Sequence, residues 1–253
     1  MKVKKKEKPI DVGFQCIWNE APIIRGWART MLYFCKRVYA IIDPETDDET
    51  EKILEEEFPE INILWQDPSL GDSTDRVKGP QGHLQMHENN NAFVKEYIKE
   101  NEWMLFLAAD ERFHPSEFET IVQELEQAKL NHQRGIVHYV LYDFIQDNTI
   151  YVKYHPGWIN HLRFYQKENQ WIQRPGTHGG KIGIPNFKKC FSSESPLYHY
   201  HMILPHKPDL CWRYTFAKTC DFRTLERENN GKLPVNHYKG KAFEDWKELE
   251  SLI

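Results

Sequence analysis

Between Asp11 and Trp65 the chain alternates short apolar runs with amphipathic stretches, and this alternation limits the fold more than any other feature. Asp11 to Ile17 (DVGFQCI), Arg37 to Ile42 (RVYAII) and Ile61 to Trp65 (INILW) read as strands. An aromatic-rich helix is expected over about Ile23 to Cys35. The acidic segment Thr46 to Phe58 suits a second helix. Thr46 can cap it, acids crowd its first turn, and Ile53, Leu54 and Phe58 form an apolar stripe. Strand, helix, strand, helix, strand is the pattern of a parallel sheet with crossover helices.

A helix from about Gln85 to Lys99 leads into Trp103 to Pro115, WMLFLAADERFHP. Five large apolar residues run into Ala108 and Ala109, and then into Asp110 and Glu111. A strand buried on both faces would deliver two carboxylates at its carboxyl end, where open α/β sheets place their ligands. A solvated turn is the plainer account of the same two acids. Asp67 to Gly82 is a polar loop too long for a mere connection. Pro115 or Ser116 starts another helix, with Phe118, Ile121, Val122 and Leu125 at helical spacing. Gly135 to Gln146 is one extended segment, and Tyr151 to Tyr154 and His161 to Tyr165 are strands of a more antiparallel second half. Loops come after Trp171, then a late helix over Leu210 to Leu225 and a tail helix over Phe243 to Leu249.

A chain of 253 residues has room for one large α/β domain, or for one domain with a smaller appended lobe. A net charge of −5 argues against general nucleic-acid binding. The basic start MKVKKKEK lacks the apolar core of a signal peptide, and no stretch approaches the roughly 18 apolar residues of a membrane span. That tail leaves room for weak peripheral membrane contact only. Cys16, Cys35, Cys190, Cys211 and Cys220 are odd in number and without CxxC spacing, so a reduced cytoplasmic protein without a thiolate zinc site is expected.

Asn19-Glu20, Asp43 with Asp48, the loop from Asp67, and Asp110-Glu111 all come directly after predicted strands. In a parallel sheet these ends share one crevice. Carboxylates gathered there repel one another unless a cation compensates, and Mg²⁺ or Mn²⁺ with a phosphorylated ligand does so economically. Arg76, Lys78, Arg163, Lys181, Lys188 and Lys189 could meet phosphate oxygens, or simply keep the surface soluble; Arg163, set among apolar neighbours, suits the first role best. His178 stands in GTHGG, and His199 and His201 in PLYHYHMI, with His206 close behind. Residues two apart in a strand share a face, so His199 and His201 could present both rings to one site, or could be packing histidines. No HExxH or compact three-ligand spacing supports a zinc hydrolase.

This constellation resembles the family-2-like glycosyltransferases with a GT-A fold. QCIWNE (15–20) is similar to their first strand ending beside the nucleotide, and DPETDDET (43–50) to their second-strand signature. Asn89 to Ala92 lies where the family places an Asn and a small residue. LAADE (107–111) resembles the aspartate-any-aspartate-Glu motif, Arg163 the recurrent Arg-Phe segment, His178 a His-Glu motif, and PLYHYH the late metal-completing His. Two positions depart: Ala108 replaces the first carboxylate, and Gly179 replaces the Glu of His-Glu.

The resemblance implies an α/β, GT-A-like and Rossmann-like, mostly parallel sheet flanked by helices, with a mixed acceptor-side extension. Residues 1–10 would be a basic flexible tail, 11–130 the nucleotide-sugar-binding half, and 131–253 the acceptor-side half and C-terminal helical extension of the same domain. The activity implied is transfer of a sugar from a nucleoside-diphosphate sugar to an acceptor hydroxyl on a glycan, lipid or small molecule, inverting and assisted by Mn²⁺ or Mg²⁺. Trp18, Asn19, Glu20, Asp43, Asn90, Arg163 and His178 would bind the donor, with Asp43 at the base edge and Asp48 and Thr50 bracing the helix. Asp110, His199 and His201 would hold the metal, and Glu111 with Asp110 would be catalytic. The location implied is cytoplasmic, with the cytoplasmic face of a membrane as a variant. A catalytically inactive nucleotide- or carbohydrate-binding relative is the alternative. A sugar-phosphate nucleotidyltransferase is a further one, though WNEAPIIRG after the first strand lacks the Gly-rich basic loop it would want.

Overall fold

The computed structural model describes residues 7–70, 82–138, 140–144, 150–154, 161–167, 173–174, 181–182, 190–199 and 235–237. The first elements are β1 (Ile10–Ile17), α1 (Ile24–Phe34), β2 (Cys35–Ile42), α2 (Thr50–Glu57), β3 (Ile61–Trp65), α3 (Gly82–Tyr97) and β4 (Trp103–Phe106). A two-residue strand β5 (Glu111–Arg112) and α4 (Phe118–Leu130) come next, then β6 (Gly135–His138), β7 (Leu141–Phe144), β8 (Ile150–Tyr154) and β9 (His161–Gln166). Short strands β10 (Gln173–Arg174), β11 (Lys181–Ile182), β12 (Cys190–Ser193), β13 (Leu197–His199) and β14 (Val235–His237) complete the described elements.

Seven strands form the central sheet in the order β12-β6-β9-β4-β1-β2-β3. β1 pairs in parallel with both β2 and β4, β2 pairs in parallel with β3, and β12 with β6. β9 runs antiparallel between β4 and β6. The expected α/β class with a mostly parallel sheet is therefore what the chain adopts. One apolar cluster joins α1, α2 and α4 to one face of this sheet, and a second seats Phe93 and Val94 of α3, with Ile98 just beyond it, on the other. Burial on both faces explains why β4 is apolar throughout rather than alternating. α1 lies close over β1 at Gly13, where an added Cβ would stand 3.2 Å from Met31 Cε, as well as 2.6 Å from Cys35 Sγ at the start of β2.

A second sheet, β14-β8-β7-β13-β5, carries the mixed extension. β13 pairs antiparallel with β5 and parallel with β7, so this sheet is joined to the first just after β4.

Four local readings need revision. α2 begins at Thr50 rather than Thr46, because Asp43 draws the preceding residues into a turn of its own. Its carbonyl accepts from Thr46 N at 2.9 Å and its carboxylate from Glu45 N at 2.9 Å. Asx turns of this kind compete with helix initiation. Gly135 to Gln146 is not one strand: β6 belongs to the central sheet and β7 to the second. The strand over His161 to Tyr165 pairs antiparallel as expected of the second half, but it does so inside the central sheet, between β4 and β6. Cys35 opens β2 instead of closing α1. The expected late and tail helices lie outside the described residues.

Candidate functional site

Counting outward from β1, the chain builds β2 and β3 on one side and then crosses to place β4 on the other. That reversal between β1 and β4 is a topological switch point, where the loops leaving adjacent strands diverge and open a crevice at their carboxyl ends. Trp18-Asn19-Glu20 leaves β1 on one side of it and Leu107 to Glu111 leaves β4 on the other.

On the β4 side, the chain turns sharply from Ala108 to Glu111. Glu111 N donates to Ala108 O at 3.0 Å, and Ala108 N donates to Glu111 Oε2 at 3.1 Å. Trp27 of α1 holds the strand end from beneath, its indole Nε1 donating to Leu107 O at 2.9 Å. Arg112 fastens the turn from within. Its guanidinium donates to the carbonyls of Ala109, of Glu111 at 2.6 Å and of Ile23 at 2.8 Å. At 4 % exposure it carries a positive charge into the same turn as Asp110 and Glu111, each 6 % exposed. Charge compensation that the sequence suggests for a metal is thus supplied in part by the chain.

The β5–β13 pairing sets His199 opposite Glu111, while β13–β7 sets it opposite Asp143. His199 Nε2 stands 3.8 Å from Asp110 Oδ2. Tyr198 beside it is buried and meets Tyr142 edge-on at 5.3 Å, which anchors the strand that presents the imidazole.

On the β1 side, side chains bind the loop to the turn that precedes α2. Asn19, at φ +49°, donates through Nδ2 to Asp47 Oδ1 at 2.7 Å and accepts from Asp47 N at 3.0 Å. Asp48 accepts from Ala21 N and Thr50 N, both at 2.9 Å, and Thr50 Oγ1 accepts from Glu20 N at 2.8 Å. Asp48 and Thr50 therefore start and brace the helix as the resemblance implies. Trp18 Nε1 reaches Glu45 O at 3.4 Å.

Asp43 lies buried at the end of β2, its own N–H donating to Ile17 O at 2.9 Å. Asn90 is fully buried on α3, where its Oδ1 accepts from the Cys16 thiol at 3.1 Å. Its neighbour Asn89 clasps the Asp67 backbone at both N–H and carbonyl. Arg163 lies on β9, one step beyond the Leu105–Phe164 pair toward the carboxyl end of β4. His178, His201, His206, Arg76, Lys78, Lys188 and Lys189 lie outside the described residues, and Lys181 opens β11.

The structure thus gathers Asp110, Glu111 and His199, with Asn19 and Glu20 on the facing loop. Arg112 is the member that sequence reasoning missed. An Arg after two acids reads as surface charge, and only the approach of Ile23 reveals its role. Among the described residues no group of three or more His, Cys, Asp and Glu is arranged to hold a metal ion. Cys16, Cys35 and Cys190 form no disulfide, and burial pushes the Cys16 and Cys35 thiols far up, which keeps them from thiolate chemistry. No helix among the described residues is long and apolar enough to cross a membrane.

No family model and no curated protein matches the chain. Among solved structures, the inositol-1-phosphate CTP transferase from T. maritima is similar over 64% of this chain and 69% of that one, at 11% identity and a TM-score of 0.28. A likeness at that score carries no functional argument.

Proposed function

We propose that the chain is a glycosyltransferase that moves a sugar from a nucleoside-diphosphate sugar to an acceptor hydroxyl, with Mn²⁺ or Mg²⁺ bound at Asp110 and His199. The observation that carries this reading is the meeting of Asp110 and His199 at 3.8 Å beside the switch point. Asp110 and His199 would hold the ion through a carboxylate oxygen and an imidazole nitrogen, the carboxylate being the ligand type that Mg²⁺ and Mn²⁺ favour. Mg²⁺ is usually bound through one or two carboxylates together with substrate phosphates, and Asp110 would be that carboxylate. When bound, the ion would neutralise charge developing on the departing diphosphate.

The remaining chemistry belongs to the chain. A bond forms between the acceptor oxygen and the anomeric carbon as the bond from that carbon to the diphosphate oxygen breaks. Glu111 accepts the hydroxyl proton, its carboxylate held in place by the Ala108 amide at 3.1 Å. Asn19, Glu20 and Asp43 receive the nucleoside along the ends of β1 and β2.

Turnover of UDP-, GDP- and CMP-sugars, with and without Mn²⁺, tests the reading. Transfer or hydrolysis of one donor is expected, and Asp110→Asn should lower it by roughly two orders of magnitude, the scale of losing one charge-stabilising group. Absence of both turnover and calorimetric nucleotide binding refutes the activity. Unchanged activity and metal response in Asp110→Asn refutes the site.

A further inference from the structure

We propose that the opposite end of the central sheet, where β4 starts and β9 finishes, holds a second binding site, for a small anion carrying a phosphate or carboxylate group. A cavity of about 320 Å³ opens there, lined by Trp103, Lys129, His132, Gln133, Arg134 and Gln166. That volume lies at the lower end of the range of small-molecule sites, about 300–1,000 Å³. Roughly 13 Å of extended strand separates Trp103 from Leu107, so the cavity is distinct from the acidic turn.

Its lining holds two cations and an imidazole but no carboxylate. Arg134 is held by one guanidinium nitrogen, Nη1, which donates to Gln166 Oε1 and to Asn101 Oδ1 at 3.5 Å. A guanidinium fork suits planar or tetrahedral oxyanions. Lys129 lies half-buried over the Trp103 ring, its ammonium 5.6 Å from the ring centre, and donates to Pro9 O. Burial lowers its pKa, a cost that an arriving anion would relieve. The acids that act on Lys129 are Asp11, Glu7 and Glu126. Asp11 is already engaged with Lys36 Nζ at 3.0 Å and Trp103 N at 2.9 Å.

The backbone gives an independent sign. α4 ends in a Schellman turn, with His132 N donating to Lys129 O at 3.1 Å and Gln133 N to Ala128 O at 2.8 Å. His132 occupies the left-handed position of that turn at φ +54°, where glycine is the unstrained residue. Asn101, which orients Arg134, also lies at positive φ, +66°. A strained imidazole on the cavity wall, where glycine would serve the turn better, points to a use for the ring. The capping bonds also occupy helix carbonyls whose negative end would otherwise disfavour an anion.

Titration calorimetry of the whole chain at low ionic strength, with inorganic phosphate and with citrate as separate probes, tests the site. One saturable site is expected for at least one probe, weakened at least tenfold in Arg134→Gln and in Lys129→Gln, weakened by added salt, and unchanged in Asp110→Asn. Far-UV circular dichroism establishes that each variant is folded. Should one variant fail to fold, the other gives the same readout. No saturable binding by the wild-type chain overturns the proposal. So does wild-type affinity in a folded charge variant, or loss of binding in Asp110→Asn alone.

Discussion

Gly13→Ala is expected to destabilise the fold through a clash that can be located atom by atom. The new Cβ would stand 2.6 Å from Cys35 Sγ, 3.2 Å from Met31 Cε and 3.3 Å from Cys35 Cβ. Comfortable contact between such atoms begins near 3.5 Å. Met31 and Cys35 are both fully buried, so neither can swing into solvent. Overpacking of this kind costs about 1–3 kcal/mol, and the entropy recovered by removing a strand glycine offsets about 0.5–1 kcal/mol of it. The net loss centres near 1 kcal/mol, or roughly 2–4 °C in Tm for a chain this long. Urea unfolding followed by tryptophan fluorescence and circular dichroism measures it. Cys35→Ala removes the nearest atom, so the double variant should be more stable than the sum of the singles predicts, by about 0.5–3 kcal/mol. Wild-type stability in Gly13→Ala, or additivity across the cycle within about 0.5 kcal/mol, would refute the reasoning.

Three further outcomes are expected. Arg112→Met removes a donor that three carbonyls share and should cost about 3 kcal/mol or more, and Arg112→Lys should not restore it because an ammonium cannot span the turn and α1 together. A thermal midpoint within a degree of wild type would contradict that. Asp48→Ala, which removes the acceptor for Ala21 N and Thr50 N, should cost about 1–2 kcal/mol in chemical denaturation, with Asp48→Asn recovering part of it. Glu124 is held half-buried against Ser193 at 2.8 Å, and burial raises its pKa, with Glu117 adding to the effect. A carboxyl whose folded pKa is raised costs stability above that pKa and costs none below its unfolded value. Glu124→Gln should therefore raise the melting temperature at pH 7 and lose that advantage as pH falls to about 4, the ordinary range of Glu. An equal shift at both pH values would count against it.

The path from sequence to site was legible where local chemistry decides. The runs ending at Ile17, Ile42 and Phe106 are largely buried on both faces, so their composition alone marks them as strands of a covered sheet. Because β1, β2 and β4 run parallel, the loops that leave them emerge at one edge. Thr46 misled because a hydroxyl before an acidic helix looks like a cap, whereas Asp43 reaches forward and claims the turn first. Gly135 to Gln146 misled because an extended apolar run carries no record of which sheet receives it. The closeness of Asp110 to His199 comes from a pairing between strands remote in sequence, and no spacing rule encodes that. Arg112 is hidden for the same reason: its partner Ile23 lies at the start of α1.

The pairing of β5 with β13 also bears on the order of events as the chain is made. Parallel contacts among β1, β2 and β3 involve neighbours in sequence, and β4 joins them before Glu111 has far to travel. His199 arrives only after β6, β7, β8, β9 and β12 have been synthesised. Loop closure over such a span is slow and entropically costly, and it trails rather than leads the local contacts. A nascent or prematurely terminated product lacking Leu197–His199 would thus keep its first four strands and its acids while missing the imidazole beside them.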